Sequence, residues 1–294
     1  MRWALGFDIG GTKIEASQIS STGELGRTLR FPVPESTDAT VDMIVSMAMD
    51  LRRDVQVEGI GFGIPGSLDH LGVLRNAPNS PQIEGIKLGD MLSTRLSGPL
   101  YFENDANCLA LAEHKFGVAK GFSYVVGVIL GTGIGTGVIL GDRLFRGAHG
   151  WAPEPGHLPL NVQGRICKCG LKGCVEAYLS GPSILARYHE CGGGRHVTTT
   201  QTLFEVTQDK VAESVLSETR ALYTRFLGML VSVFDPQAIV LGGGLSEQPL
   251  FQSVECHEIV ANTFGTKETP RVFAAELGAE SGKFGAAACV FGRH

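Results

Sequence analysis

The spacing of apolar residues predicts an alternation of strands and helices along the chain. Short apolar runs that end at glycine or proline predict strands, and apolar residues three or four positions apart predict helices. Strands are expected at 3–7, 14–20, 27–33, 57–64, 101–103, 124–130, 138–140 and 238–241. Helices are expected at 41–55, 106–116, 175–190, 202–215, 217–234 and 281–291.

Two stretches of the chain share one design, in which a strand enters a glycine-rich turn and a second strand returns. The turns are Asp8–Lys13 and Gly131–Gly137. This repeat predicts two α/β domains that face each other across a nucleotide-binding cleft. We expect an N-terminal domain over 1–117, with the C-terminal helix 281–292 packing back on it, and a second domain over 118–280.

Composition and charge narrow the possible partners. Glycine supplies 40 of the 294 residues, about twice its average share, which indicates close approach of the backbone to a ligand. The net charge of −5 argues against a broad nucleic-acid-binding face. Too few apolar residues precede Asp8 for a secretion signal. Residues 121–141 are uncharged and about long enough for one membrane span, but their seven glycines favour two strands around a turn.

The first glycine turn offers the groups that a polyphosphate needs. Gly10 and Gly11 let the backbone fold sharply and present N–H groups. Thr12 adds a hydroxyl and Lys13 a positive charge, while Asp8 is placed to hold Mg²⁺ or its water. The turn matches neither the Walker spacing nor the G-x-G-x-x-G dinucleotide spacing. A plain hairpin turn would also explain Gly10 and Gly11.

The second glycine turn strengthens the case for a nucleotide site. Gly131, Thr132 and Gly133 repeat the pattern of backbone and hydroxyl donors between two β-rich runs. A third glycine run, Gly242–Gly244, follows the predicted strand 238–241 and would let an adenine or ribose lie against the backbone. A simple turn from strand to helix is the alternative for that third run.

The segment Glu103–Asn107 places two polar side chains at the predicted start of a helix. The helix dipole favours the ionised form of Asp105, and a carboxylate within reach of a substrate hydroxyl can act as a general base. Asn104 could orient the same substrate. Either residue could instead only cap the helix, and capping is compatible with the other role.

Seven cysteines is an odd number, and their crowding indicates a metal site in a reducing cytoplasm. The pattern H-x9-C-x-C-x4-C comprises His157, Cys167, Cys169 and Cys174. A closed Cys3His set leaves no position for water, so we predict a structural zinc in the loop 157–174. Metal-free reduced thiols are the alternative. Glu154 and Glu176 flank this loop and could receive pairs of sugar hydroxyls, or they could be plain surface acids.

These motifs resemble the ROK family (repressors, open reading frames, kinases) of actin-like sugar kinases, and the likeness covers nearly the whole chain. The matching segments are DIGGTK at 8–13, GFGIPG at 61–66, ENDANCLALAE at 103–113, GTGIGTG at 131–137, EPGH at 154–157, CKCGLKGCVEAYLSG at 167–181 and FDPQAIVLGGGLS at 234–246. The resemblance implies two actin-like (ribonuclease H-like) α/β domains, Mg-ATP as co-substrate, a structural zinc and transfer of the γ-phosphoryl group to a sugar hydroxyl, typically the 6-OH.

The resemblance also implies a role for each matching residue. Asp105 would deprotonate the sugar hydroxyl. The implied sugar-binding residues are Asn104, Asp105, Glu154, His157 and Glu176. The implied ATP-binding residues are Asp8, Gly10, Gly11, Thr12, Lys13, Gly131, Thr132, Gly133 and Gly243. The implied zinc ligands are His157, Cys167, Cys169 and Cys174.

Two positions depart from the family pattern. The family has Gly-Glu-x-Gly-His where this chain has Pro153, Glu154 and Pro155 before Gly-His. Proline fixes its own φ and restricts the preceding residue, so the chain should be stiff around Glu154. Thr136 stands where glycine is common, and we expect no consequence from it.

The identity of the sugar is the open question at this stage. The YLSG and FDPQAIVLGGGLS segments most resemble those of bacterial N-acetylglucosamine kinases, although the other sugar kinases of the family share nearly all the motifs. The resemblance therefore implies N-acetylglucosamine first, glucose second and fructose or mannose third. The first phosphate turn begins at residue 8, so we expect no DNA-binding segment ahead of it and no repressor function. Asp105 argues against a non-catalytic sugar sensor, and an actin-like assembly protein would not need the Cys3His loop. We expect a cytoplasmic homodimer that has no nucleic-acid or membrane partner.

Overall fold

The computed structural model describes residues 1–77, 79–265 and 268–292. The strands of these residues are β1 Trp3–Ile9, β2 Lys13–Ser20, β3 Leu25–Pro32, β4 Ile60–Ile64, β5 Ser67–Leu68, β6 Leu74–Arg75, β7 Leu100–Asn104, β8 Tyr124–Leu130, β9 Ile134–Leu140, β10 Arg143–Leu144, β11 Ala238–Gly242 and β12 Arg271–Ala274. Their helices are α1 Thr37–Leu51, α2 Leu88–Ser93, α3 Asp105–Lys115, α4 Glu176–Leu179, α5 Gly181–Glu190, α6 Thr200–Glu205, α7 Lys210–Phe234, α8 Pro249–Gln252, α9 Cys256–Val260 and α10 Ser281–Phe291.

The chain divides into two compact units. Unit 1 comprises Met1–Gly121, Gly137–Pro153 and Glu276–His294. Unit 2 comprises Phe122–Thr136 and Glu154–Ala275. The last segment of the chain therefore returns to the unit in which the chain begins.

The two large sheets follow the same plan. One has the strand order β3-β2-β1-β4-β7 and the other has the order β10-β9-β8-β11-β12. In the first, β1 is antiparallel to β2 and parallel to β4. In the second, β10 is antiparallel to β9, and β11 is parallel to both β8 and β12. A β-meander extended by parallel strands is thus present twice, as the repeated strand–turn–strand pattern of the sequence predicts.

The core of unit 1 lies between its sheet and the helices that cover it. Residues of α1 such as Ile44 and Ala48 are fully buried against the sheet. Helix α10 packs on β1, β4 and α3. Its approach to the sheet requires glycine, because a Cβ at Gly6 or Gly61 would collide with a backbone carbonyl of α10. Gly6 in β1 and Gly61 in β4 therefore allow α10 to pack directly on the backbone of these two strands.

In unit 2, three predicted helices differ from the structure. The predicted helix 202–215 is divided, because α6 ends at Glu205 and residues 210–215 belong to α7. The region 175–190 forms α4 and α5, because Pro182 has no N–H to continue the helix; the Tyr178 carbonyl accepts from the Arg187 guanidinium instead, at 3.2 Å. Helix α7 begins at Lys210 and not at 217, because Asp209 caps it.

The uncharged stretch 121–141 forms β8 and β9. The turn between them is shorter than predicted, since β9 already begins at Ile134, whose side chain is buried. Among the residues described, no helix is both long enough and apolar enough to cross a membrane.

Candidate active site

The first glycine turn joins β1 to β2 in unit 1. It is closed by a hydrogen bond from the Gly10 N–H to the Lys13 carbonyl, 3.0 Å long. Gly11 and Thr12 are exposed at its tip. The Lys13 ammonium lies 2.9 Å from the Glu15 carboxylate, which anchors it beside the turn. The turn therefore presents backbone, a hydroxyl and a held cation to solvent, as a phosphate site requires.

Asp8 is the penultimate residue of β1 and lies beside the start of α10. A Cβ on Gly282 would lie 2.6 Å from the Asp8 carboxyl carbon, so only glycine leaves room for the carboxylate there. Burial raises the pKa of Asp8 to about 6, and the neighbouring charge of Asp105 adds to the rise. The ammonium of Lys283, itself buried, acts in the opposite direction. A further cation near Asp8 would stabilise its ionised form.

Asn104 and Asp105 stand where β7 passes into α3. Asn104 is the N-cap, and its Oδ1 accepts from the N–H groups of Ala106 and Asn107 at 2.8 and 3.2 Å. Its amide nitrogen donates to the Gly66 carbonyl at 3.3 Å. Capping is therefore done by Asn104, which leaves Asp105 as the first residue of the helix.

Asp105 is reached by solvent but is surrounded by protein on its other sides. Its Oδ1 accepts from the Ala106 N–H at 2.8 Å. The surrounding protein atoms raise the pKa of Asp105 by desolvation, against the lowering effect of hydrogen bonds from the start of the helix. A solvent-accessible carboxylate with a raised pKa is a stronger base than an ordinary aspartate.

The second glycine turn, Gly131–Gly133, lies in unit 2 and is tied to a carboxylate predicted to bind sugar. Gly131 accepts from the Gly181 N–H at 2.8 Å. Oε2 of Glu176, the first residue of α4, accepts from the Ile134 N–H at 3.0 Å. A Cβ on Gly133 would lie 2.8 Å from the same oxygen. The structure thus couples the turn, with Thr132 exposed at its tip, to the position of Glu176.

The third glycine run follows β11. Gly243 has φ +83°, and a Cβ there would collide with the Leu130 carbonyl, so this position requires glycine. Its own carbonyl accepts from the Ser246 hydroxyl at 2.7 Å. The run therefore passes close to the end of β8, which leads into the second glycine turn.

The four predicted zinc ligands come together in unit 2. The ligand atoms of His157, Cys167, Cys169 and Cys174 all lie within 4.8 Å of one another. His157 Nδ1 is 3.8 Å from the Cys167 sulfur, and the sulfurs of Cys169 and Cys174 are 3.7 Å apart. Sulfur ligands ~2.3 Å from a tetrahedral zinc lie about 3.8 Å from one another. Both the donor set and its spacing therefore fit zinc.

Glu176 contacts this cluster through its side chain, whereas Glu154 contacts it through its backbone. The Cys167 sulfur is 3.7 Å from Glu176 Oε1, so Glu176 contacts both the metal loop and the second glycine turn. Glu154 is exposed and precedes a single turn of 3-10 helix, Pro155–His157, and its carbonyl accepts from the His157 N–H at 3.1 Å. The backbone of Glu154 is therefore tied to the start of the metal loop, and its side chain is exposed.

The predicted residues thus form two groups, one in each unit. Three residues with a place in this arrangement were not found by sequence reasoning. Gly282 lies against the Asp8 carboxylate. Glu103, the residue before Asn104, forms an ion pair with Arg146 at 2.7 Å. Glu103 belongs to the motif that signalled the site, but neither Gly282 nor Arg146 has a local sequence signal.

Comparison with known proteins gives a consistent answer over the whole chain. The ROK family profile matches residues 4–292. A glucokinase of Streptomyces coelicolor is 32% identical over 98% of this chain and 97% of its own length. An N-acetyl-D-glucosamine kinase of Escherichia coli O127:H6 is 32% identical over 96% of this chain and 97% of its own length. A ROK hexokinase from Thermus thermophilus has a TM-score of 0.89 and 34% identity, covering 98% of both chains. The expected actin-like α/β fold is thereby confirmed.

Proposed function

Because the chain belongs to the ROK family, we propose that it is an ATP-dependent kinase that phosphorylates the 6-hydroxyl of a hexose. The observation that carries the proposal is the Asp105 carboxylate, which is solvent-accessible at the first turn of α3. The same unit holds Asp8 and the first glycine turn. A carboxylate so placed can take the proton of a sugar hydroxyl as that hydroxyl attacks the γ-phosphorus.

In this proposal the chain's own groups position, and do not chemically activate, the phosphate donor. The glycine turns at Gly10–Lys13 and Gly131–Gly133 would hold the phosphates, and Gly243 would lie near the adenosine. Mg²⁺ bound with ATP would neutralise charge on the phosphates, and Asp8 would help to position it. Asp105 would accept the proton and Asn104 would orient the sugar, so that oxygen and phosphorus are held in line.

Glu176, His157 and Glu154 are assigned to the sugar ring. Glu176 supports this role best, because its two carboxylate oxygens are held between the second glycine turn and the metal loop. We further propose that His157 and the three clustered cysteines bind a structural zinc, which would fix the loop that carries these sugar-binding groups.

For the sugar we propose N-acetylglucosamine, with glucose as the second candidate. The N-acetylglucosamine kinase and the glucokinase are each 32% identical to the chain, which keeps glucose in the proposal. In a coupled assay of ADP release with N-acetylglucosamine, glucose, mannose and fructose, we expect the highest kcat/KM with N-acetylglucosamine. A glucose preference would change the substrate and leave the kinase intact. Sugar binding without ADP release from any of the four would overturn the kinase and favour a sensor.

Replacing Gly282 with alanine tests the assignment of Asp8. The added methyl group would displace the Asp8 carboxylate, so we expect kcat/KM for Mg-ATP to fall by about tenfold to a hundredfold. Alanine is the better helix former by about 1 kcal/mol, so the thermal midpoint should not fall. Steady-state kinetics and thermal unfolding on the same sample separate the two effects. Unchanged kcat/KM for Mg-ATP would count against the Asp8 assignment.

A further inference from the structure

A buried carboxylate lies two residues before the proposed base. Glu103, near the end of β7, is 7% exposed. Its Oε1 accepts from the Asn107 amide at 2.7 Å and from the Asn104 N–H at 3.2 Å. Its Oε2 accepts from Arg146 Nε at 2.7 Å. One carboxylate therefore joins the end of β7, the first turn of α3 and the loop after β10.

The Asn107 side-chain amide is oriented so that its nitrogen, and not its oxygen, faces the Glu103 carboxylate. The Asn107 side chain is buried in the first turn of α3, and no described residue donates to its Oδ1. Reversing the amide would place that oxygen against the Glu103 carboxylate, with no proton between them. The bond to Glu103 is therefore kept although it leaves a buried carbonyl oxygen unpaired.

The charge balance requires Arg146. A buried carboxylate is costly unless it is paired and hydrogen-bonded. Arg146 supplies the positive charge from a side chain that is 35% exposed. Without Arg146, the donors to Glu103 within the described part of the chain would be the neutral groups of Asn104 and Asn107. The guanidinium therefore holds the carboxylate in place at the junction of strand and helix.

This junction sets the position of Asp105. The Ala106 N–H donates to both Asn104 Oδ1 and Asp105 Oδ1, each at 2.8 Å. The Asp105 carboxylate is thus hydrogen-bonded to the first turn of α3. Glu103 holds the same turn through its hydrogen bonds with Asn104 and Asn107. A catalytic group must be held to within about 0.5 Å of its working position.

We infer that Glu103 and Arg146 form a positioning pair for Asp105, an inference that rests on the proposed function. Replacing Glu103 with glutamine keeps the shape of the side chain but removes the charge and one acceptor. We expect E103Q to lower kcat by about tenfold to a hundredfold, while KM for sugar and for Mg-ATP stays within about threefold. R146M should give the same loss, and R146K should recover part of it.

The controls separate positioning from stability. Glu258 forms a comparable partly buried pair with Arg220 in unit 2, at 2.7 Å, so E258Q should lower the thermal midpoint and leave kcat unchanged. In a D105N background, E103Q should cause no further loss of the residual rate. If E103Q does not fold, R146M provides the test instead, because the Arg146 side chain is partly exposed and its replacement disturbs the core less.

The results that would overturn the positioning pair differ from those that would overturn the proposed function. Full activity of D105N would overturn the kinase mechanism itself. Loss of activity in D105N together with wild-type kcat in E103Q or R146M would overturn the positioning pair alone. A further loss from E103Q in the D105N background would also overturn it, because Glu103 would then act on something other than the base.

Discussion

Replacing Asp105 with alanine is expected to lower kcat by about 10²–10⁴-fold, the range measured for loss of a general base. The sugar hydroxyl would then lose its proton acceptor while the other proposed sugar contacts, Asn104, Glu176 and His157, remain. Sugar binding should therefore stay measurable by calorimetry. A coupled assay of ADP release gives kcat, and the isosteric D105N separates loss of charge from loss of volume.

A matched control lies at the start of another helix. Asp38 is an exposed aspartate in the first turn of α1, so D38A removes the same side chain from the first turn of another helix, one position further in, without touching Asp105. It should retain wild-type kcat. Turnover that survives in D105A would show that another group accepts the proton.

The pH dependence offers a second check on the same residue. Desolvation by the surrounding protein atoms raises the pKa of Asp105, and a general base works only when it is ionised. The acid limb of kcat/KM should therefore lie above the ordinary aspartate range, with activity lost as the pH falls through it. A profile that stays flat down to about pH 4 would contradict a raised pKa.

The spacing of apolar residues was sufficient to predict a helix where that spacing continues over the whole element. The run Ser281–Phe291 was predicted as a helix and is α10 from end to end. Pattern failed where a single side chain decides a boundary. Asp209 caps α7, and Pro182 separates α4 from α5, but neither changes the apolar spacing around it. Capping and proline chemistry, and not hydrophobic period, would have placed these two boundaries.

The candidate site divides in the same way. Asn104 and Asp105, and likewise the clustered His157 and cysteines, stand in short motifs that carry their chemistry, so they could be proposed from the sequence. Arg146 reaches Glu103 across 43 positions, and Gly282 meets Asp8 only because α10 returns to β1. Contacts of this kind come from tertiary packing, and one sequence without its fold does not contain them.

Deleting one donor of the Cys3His cluster is expected to lower zinc content, thermal stability and sugar turnover together. C174S deletes one of the four clustered donors, and three remaining ligands cannot close a structural zinc site. The loop that carries His157 and contacts Glu176 would lose its fixed shape. We expect C174S to contain less than one zinc per chain by elemental analysis, to unfold at a lower temperature, and to lose sugar kcat/KM by about 10–100-fold.

Cys191 provides the matched control, because it is an exposed thiol outside the cluster. C191S should keep one zinc per chain, its thermal midpoint and its activity. Chelator treatment of the wild-type protein should reproduce the C174S phenotype, and added zinc should restore the wild-type protein but not C174S. A C174S protein that contains no metal and keeps full sugar kinetics would show that the loop is held without zinc. In that case the Ile134 N–H and the Cys167 sulfur would hold Glu176 without a metal. Zinc would then be removed from the proposed function, and the role of Asp105 in it would be unaffected.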